Sequence, residues 1–176
     1  MTWKNRIVGY GESAPDQLLA NEGNWRLHPR HQQESLHGVI QEIGVIQDVI
    51  VNRRTSLEWG RDQGVETLLD GHLRVTLALR DGQPSIPVKY VDLTPNEERL
   101  ALATLDPISA LAAADAGKLD ALLREVQTDN PAVQRLLNGI ALDMGVAFPE
   151  FKEYDETTAN DVEYIECPSC GHKWPK

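Results

Sequence analysis

The strongest local constraint in this chain lies between Val65 and Arg80. Val65-Glu66-Thr67-Leu68-Leu69 is apolar at its end and reads as a strand, and Leu73 to Arg80 reads as a helix closed by Asp81-Gly82. Only Asp70-Gly71-His72 separates them. So sharp a passage needs a backbone position without a Cβ clash, which Gly71 supplies, and Asp70 is a good N-cap residue. The start of a helix presents N–H groups with no intrahelical partner and a partial positive charge, so it suits an anion. His72 and Arg74 in the first turn would add donors. The stretch therefore reads as a phosphate or nucleotide site, or, more plainly, as a capped helix with two solvated polar side chains.

The segments around it alternate in type. Ala14-Pro15-Asp16-Gln17-Leu18-Leu19 suits a short helical turn, while the rest of residues 1–23 shows little periodicity. Asn24-Trp25-Arg26-Leu27-His28-Pro29 is extended, and Pro29 suits the first position of a helix. Leu36, Val39, Ile40 and Ile43 then give one apolar helix face, which Gly44 ends. With Leu and Ile on the buried face, His28, His31 and His37 read as surface residues rather than metal ligands. Val45 to Asn52 is β-branched and predicts a central strand. Residues 53–64 form a polar loop in which Arg53, Arg54 and Arg61 read as solvated. Ile86 to Asp92 predicts another strand. The sum is a compact α+β unit.

Leu93-Thr94-Pro95-Asn96-Glu97 carries a capping box, with Pro at the first helical position. That helix runs to Leu105 and is interrupted at Asp106-Pro107, with Ile108 to Ala114 as a second piece. Lys118 to Val126 is amphipathic, and Asn130-Pro131 starts a further helix that stops at Gly145. Residues 149–166 are acidic and poor in aliphatics, as in a linker or tail. The expected organisation is an α+β domain over 15–93, a helical section over 94–147, an acidic linker over 148–166 and a terminal knuckle over 167–176.

Charge limits the partners. The net charge is −10, against a broad grip on nucleic acid. Residues 1–93 hold 10 Lys and Arg against 12 Asp and Glu, and residues 94–176 hold 7 against 15, so a nucleic-acid contact belongs to the first half. No apolar run is long enough to span a membrane, and the N-terminus lacks an apolar stretch of the signal type, so a cytoplasmic location is expected.

The chain has two cysteines, in Cys167-Pro168-Ser169-Cys170-Gly171-His172. Two thiolates turned by Pro and Gly suit a zinc knuckle, with His172 as a third ligand. A fourth ligand would come from another His, from water or from a second copy of the chain, which would make a homodimer. A metal-free remnant and a redox pair are the other readings.

Taken in order, four segments resemble the ParB/sulfiredoxin-like family, also called ParB-like nuclease domains. Asn24-Trp25-Arg26-Leu27-His28-Pro29 resembles its N-x-R-x-H-P segment. Gly44-Val45-Ile46-Gln47-Asp48-Val49-Ile50-Val51 resembles its glycine-led Q-P strand. Asp70-Gly71-His72-Leu73-Arg74 resembles D-G-H-x-R, and Val88 to Thr94 resembles its closing strand and helix cap. The likeness covers about residues 15–110, and the acidic tail with its C-P-x-C-G end looks like stand-alone proteins of phages and prophages.

The resemblance implies a small mixed sheet with helices and a pocket for a nucleoside triphosphate with Mg2+, or for a nucleic-acid phosphate. Gly71, His72 and Arg74 would face the phosphates, with Gln47 on the flanking strand. In the partition-protein branch a similar turn contacts the triphosphate of CTP. In sulfiredoxin it contacts ATP, and a Cys there carries the chemistry; His72 stands in that place, against sulfiredoxin activity. Asp48 replaces the usual Pro, Asn52 stands where partition proteins tend to have Arg, and Thr104-Leu105-Asp106-Pro107 replaces E-N-x-Q-R. These departures argue against CTP-driven clamping. With no helix-turn-helix in the helical section, they also argue against sequence-specific operator binding.

Three functions remain open. The first is a module that binds a nucleotide or nucleic-acid phosphate and acts in DNA transactions. The second is a metal-dependent nuclease or nucleotide hydrolase with His72 as general base, Arg74 as charge stabiliser and Asp70 as a metal or orienting carboxylate. The third is an accessory protein whose zinc tail, through Cys167, Cys170 and His172, contacts a partner.

Overall fold

Strand β2 (Val49–Asn52) sits inside a four-stranded sheet of order β1-β4-β2-β3, between β4 (Ile86–Val91) and β3 (Thr67–Asp70). This computed structural model describes residues 2–145 and, beyond them, only the backbone of Tyr164–Glu166 and Lys173–Pro175. Two units are present, Met1–Val146 and Ala147–Lys176. β2 runs parallel to β4, with Val49 opposite Val88 and Val51 opposite Tyr90. It runs antiparallel to β3, and β4 is antiparallel to the outer strand β1 (Ile7–Ser13). The central position expected for β2 holds, but the strand is shorter than the β-branched run: Ile46 is 80% exposed and precedes it.

Alternation along the sheet builds the core. Val49, Val51, Leu68, Ile86, Val88 and Tyr90 are buried in one cluster. Helix α2 (His72–Arg80) supplies Val75 and Ala78 to the same cluster, and Leu18 joins it from beside the 3-10 turn Pro15–Gln17. Burying each valine or leucine contributes about 1.5–3 kcal/mol, so the β3–α2 turn is anchored on both sides by its own core residues.

Pairing slips once beside that turn. Ile50 faces Asp70 and Val51 faces Leu68, which leaves Leu69 as an extra residue. A bulge of this kind bends the strand end and re-aims the residue after it, here Asp70.

Helix α1 (Arg30–Ile43) starts one residue later than expected, with Pro29 extended at its N-cap. Its buried positions are Ser35 and Gly38 rather than the Leu/Val/Ile row, and Ile43 is 59% exposed. Helix α5 (Pro131–Asp143) explains the difference. A Cβ on Gly38 would lie 2.9 Å from Asn130 and Val133 side-chain atoms, so small residues let the start of α5 approach closely.

Helix α3 (Pro95–Ala110) has the expected Thr94/Glu97 capping box. The break expected at Asp106-Pro107 does not occur. Pro107 lies within the last turn, and the helix runs only as far as Ala110 beyond it, so little helix remains for the proline to disturb. Helix α4 (Ala116–Glu125) is capped by Asp115 and α5 by Asn130. Among the described residues, no helix is long and apolar enough to cross a membrane. In the second unit, β5 (Tyr164–Glu166) and β6 (Lys173–Pro175) pair antiparallel.

Candidate functional site

Gly71 makes the turn between β3 and α2 and is the N-cap of the helix, at φ +93. Asp70 is not the cap, contrary to the sequence expectation. Among the described residues no side chain caps α2, so none of them claims the first N–H groups of the helix. A Cβ at Gly71 would sit 2.6 Å from Val49 Cγ1 and 3.1 Å from Arg74 Nη2. The turn therefore needs glycine for its backbone angle and for its contact with β2.

Asp70 instead accepts a hydrogen bond from Arg74 Nη2 at 2.9 Å, one helical turn away. Arg74 Nη2 also donates to the Asp48 carbonyl at 3.3 Å, and Nη1 donates to Gln47 Oε1 at 3.0 Å. The Arg74 side chain is only 14% exposed, so three partners fix its plane at the turn. Among the described residues, no acceptor reaches its buried Nε. That nitrogen is sealed from solvent, so what the turn offers an anion is the guanidinium charge, held in one plane beside the helix start.

His72 is the first residue of α2, and its Nε2 accepts the backbone N–H of Asn21 at 3.3 Å. Since that N–H can only donate, the neutral ring carries its proton on Nδ1. Burial holds the His72 pKa below the usual histidine value; the Asp70 charge works against this and His28 works with it. The ring is thus a neutral donor near pH 7. Its Nε2 lone pair is already engaged, so in this arrangement it is not free to act as a base at that atom.

These residues line one open cavity of about 190 Å3. Gln47, Asp70, Gly71, His72 and Arg74 all contribute, which brings together every site residue expected from the described part of the sequence. The opposite wall comes from the 24–28 segment and from α3. Trp25 Nε1 donates to the Leu102 carbonyl at 3.1 Å, and Arg26 Nε pairs with Asp106 Oδ2 at 2.6 Å. These contacts hold the extended segment against α3. Trp25 nevertheless stays 60% exposed at the cavity.

Next to the cavity lies a buried polar network that sequence reasoning missed. Glu98, on α3, is 4% exposed. It accepts from Asn21 Nδ2 at 2.8 Å, Asn52 Nδ2 at 2.7 Å, Arg54 Nη2 at 2.7 Å and Arg54 Nε at 3.1 Å. Burial pushes its pKa up, but the bonds from Arg54, Asn52 and Asn21 prevail and hold it below the ordinary carboxylate value. Arg54 is therefore not a solvated loop residue: its side chain is 11% exposed and lies over the Trp59 ring at 4.2 Å. Its φ of +50 is a left-handed angle that a non-glycine residue keeps only when its surroundings hold it there. Arg53 likewise stacks on Tyr90 at 4.0 Å and pairs with Glu66. The sequence signal was the polarity of Asn21, Asn52 and Glu98 at positions beside apolar ones, which does not say that they meet.

Among the described residues, no group of three His, Cys, Asp or Glu could hold a metal ion. Cys167, Cys170 and His172, the expected zinc ligands, lie outside the described residues, in the segment that β5 and β6 bracket.

No family model matches the sequence, and no curated protein matches it. Several solved structures are similar. One is the C-terminally truncated chromosome-partitioning protein ParB from Caulobacter crescentus complexed with CTP-gamma-S, at 23% identity and a TM-score of 0.47, over 79% of this chain and 72% of that chain. A second is the Pnob8-like ParB-N domain, at 14% identity and a TM-score of 0.47, over 98% of this chain and 59% of that one. A third is the Caulobacter crescentus ParB complexed to the centromeric parS site, at 16% identity and a TM-score of 0.42, over 80% and 73%. All three are ParB proteins.

Proposed function

We propose that this chain binds the polyphosphate of a nucleoside triphosphate at the β3–α2 turn, as a ParB-like protein acting in DNA transactions. The carrying observation is Arg74: three protein partners fix it beside a helix start that no side chain among the described residues caps. The backbone N–H groups after Gly71, the Nδ1–H of His72 and Arg74 form one donor set. Gln47 and Asp70 orient the guanidinium rather than meet the anion.

Size supports a division of the ligand. Pockets that enclose a drug-sized molecule run to about 300–1,000 Å3, so a cavity of about 190 Å3 holds phosphates and leaves the nucleoside at the mouth. Trp25 stands there with its indole N–H already bonded to α3, and an exposed ring held in one orientation is a stacking surface for a base. Binding rather than cleavage is the reading the bonds favour. Asp70 is paired with Arg74, and His72 Nε2 is engaged by Asn21. The family resemblance of the four sequence segments supports the nucleotide and the DNA context.

Thermal unfolding of the full chain against CTP, ATP, GTP and inorganic tripolyphosphate, each with and without Mg2+, tests the proposal. Stabilisation by at least one, lost in Arg74→Ala, is the expected result. No shift with any of them refutes the site. Metal-dependent cleavage of DNA or nucleotide that is lost in His72→Ala would instead establish the hydrolase reading.

A further inference from the structure

The network around Glu98 reaches the cavity through one residue. Asn21 is held twice by its side chain: Nδ2 donates to Glu98 Oε1, and Oδ1 accepts the Gly23 N–H at 2.9 Å. Its backbone N–H is the group that meets His72 Nε2. Asn21 and Glu98 are themselves buried, and they lie 77 positions apart in sequence. The Leu68 N–H bonds the Leu19 carbonyl at 2.8 Å and ties the chain to β3 two residues before Asn21, and the Asn21 side chain sets the last step to His72. That side chain is bonded to a carboxylate that α3 delivers and that Arg54 and Asn52 steady.

We propose that Glu98 is a positioning residue for His72. It holds the Asn21 backbone so that its N–H occupies Nε2, which leaves the imidazole proton on Nδ1 as a donor toward the phosphate site. The inference rests on the phosphate reading for its purpose, though not for its geometry. Glu98 does not itself line the cavity. It acts through Asn21, and its effect is on which ring nitrogen carries the proton. The groups whose charges bear on the ring, Asp70 and His28, are outside this chain of bonds and remain as they are when Glu98 is changed.

The test is 15N NMR of the His72 imidazole in the full chain, compared with Glu98→Gln and Asn21→Ala. In the native chain, Nδ1 is expected to be protonated and Nε2 bare. A glutamine keeps the shape but turns an N–H2 toward donors, and Asn21→Ala cuts the bond to Glu98 without crowding. Both variants should shift the ring toward a mixture of tautomers and weaken tripolyphosphate binding by about tenfold, the loss of one oriented hydrogen bond. Val133→Ala, which removes buried contacts in α5 away from this network, should lower stability and leave the tautomer unchanged. That separates positioning from a merely structural role. If Glu98→Gln fails to fold, Asn21→Ala decides. A native ring protonated at Nε2, or an unchanged ring in the folded variants, overturns the inference. Failure of the native chain to bind tripolyphosphate would refute the phosphate site alone, since the NMR readout needs no ligand.

Discussion

Replacing Gly71 by alanine asks two things of the turn at once, and the structure separates them. The residue is at φ +93, a left-handed backbone region that costs an L-residue about 1–2 kcal/mol. The new Cβ would also lie 2.6 Å from Val49 Cγ1 and 3.0 Å from Val49 Cβ. Val49 is fully buried, so it cannot swing away, and overpacking of this kind costs about 1–3 kcal/mol. Alanine also restricts the unfolded chain, which offsets roughly 0.4–1 kcal/mol. The net expectation is a loss of roughly 2–4 kcal/mol. Gly82 provides the comparison, because it is at φ +65 and a Cβ there would meet nothing within 4 Å. Gly82→Ala should therefore lose only the backbone part, about 1 kcal/mol or less after the offset. Urea unfolding measures both, with slopes of about 1–3 kcal/mol per molar as the scale. A Gly71→Ala midpoint no lower than that of Gly82→Ala would refute the close approach of the turn to β2. Should the loss be as expected, the folded fraction should also bind tripolyphosphate more weakly, because Arg74 Nη2 is 3.1 Å from the same Cβ.

Two further outcomes follow from the titrating groups and the tail. His72 has its pKa lowered in the fold, so as pH falls through about 6.5 the unfolded chain takes up a proton that the folded chain resists, and stability is lost there. Glu98 is also lowered, so its contribution is present above about pH 4.3 and is lost as pH falls further through its folded value. Urea midpoints across pH should show both windows, and His72→Gln should flatten the upper one only; an unaltered upper window would refute the half-buried neutral ring. For the tail, we propose zinc on Cys167, Cys170 and His172, which predicts close to one metal per chain, or one per two chains in a dimer; elemental analysis giving under about 0.2 per chain would refute it.

Local chemistry made much of the fold legible. The Gly71 turn, the Thr94/Glu97 capping box and the Asn130 cap are short-range arrangements, and each occurs where the residues announce it. The β-branched run at β2 announces a buried central strand for the same reason. β1 was not legible: it lies at the sheet edge with most of its residues exposed, and Gly9 and Gly11 interrupt any alternation. Only pairing with β4 makes it a strand.

The site divides along the same line. Gly71, His72 and Arg74 could be singled out because a strand end, a glycine and a helix start stand within a few residues of one another. Their surroundings could not. Whether Asp70 caps the helix or holds Arg74 depends on the bulge at Leu69, which is a matter of pairing between strands. Whether Arg54 is solvated or buried depends on Glu98 arriving from α3, 44 positions away. Residue types and spacings determined the Gly71 turn, the Thr94/Glu97 capping box and the Asn130 cap, since those choices are settled among neighbours. The tertiary structure alone decided which polar side chains meet, because a buried charge is tolerated only where distant segments bring enough donors to one point.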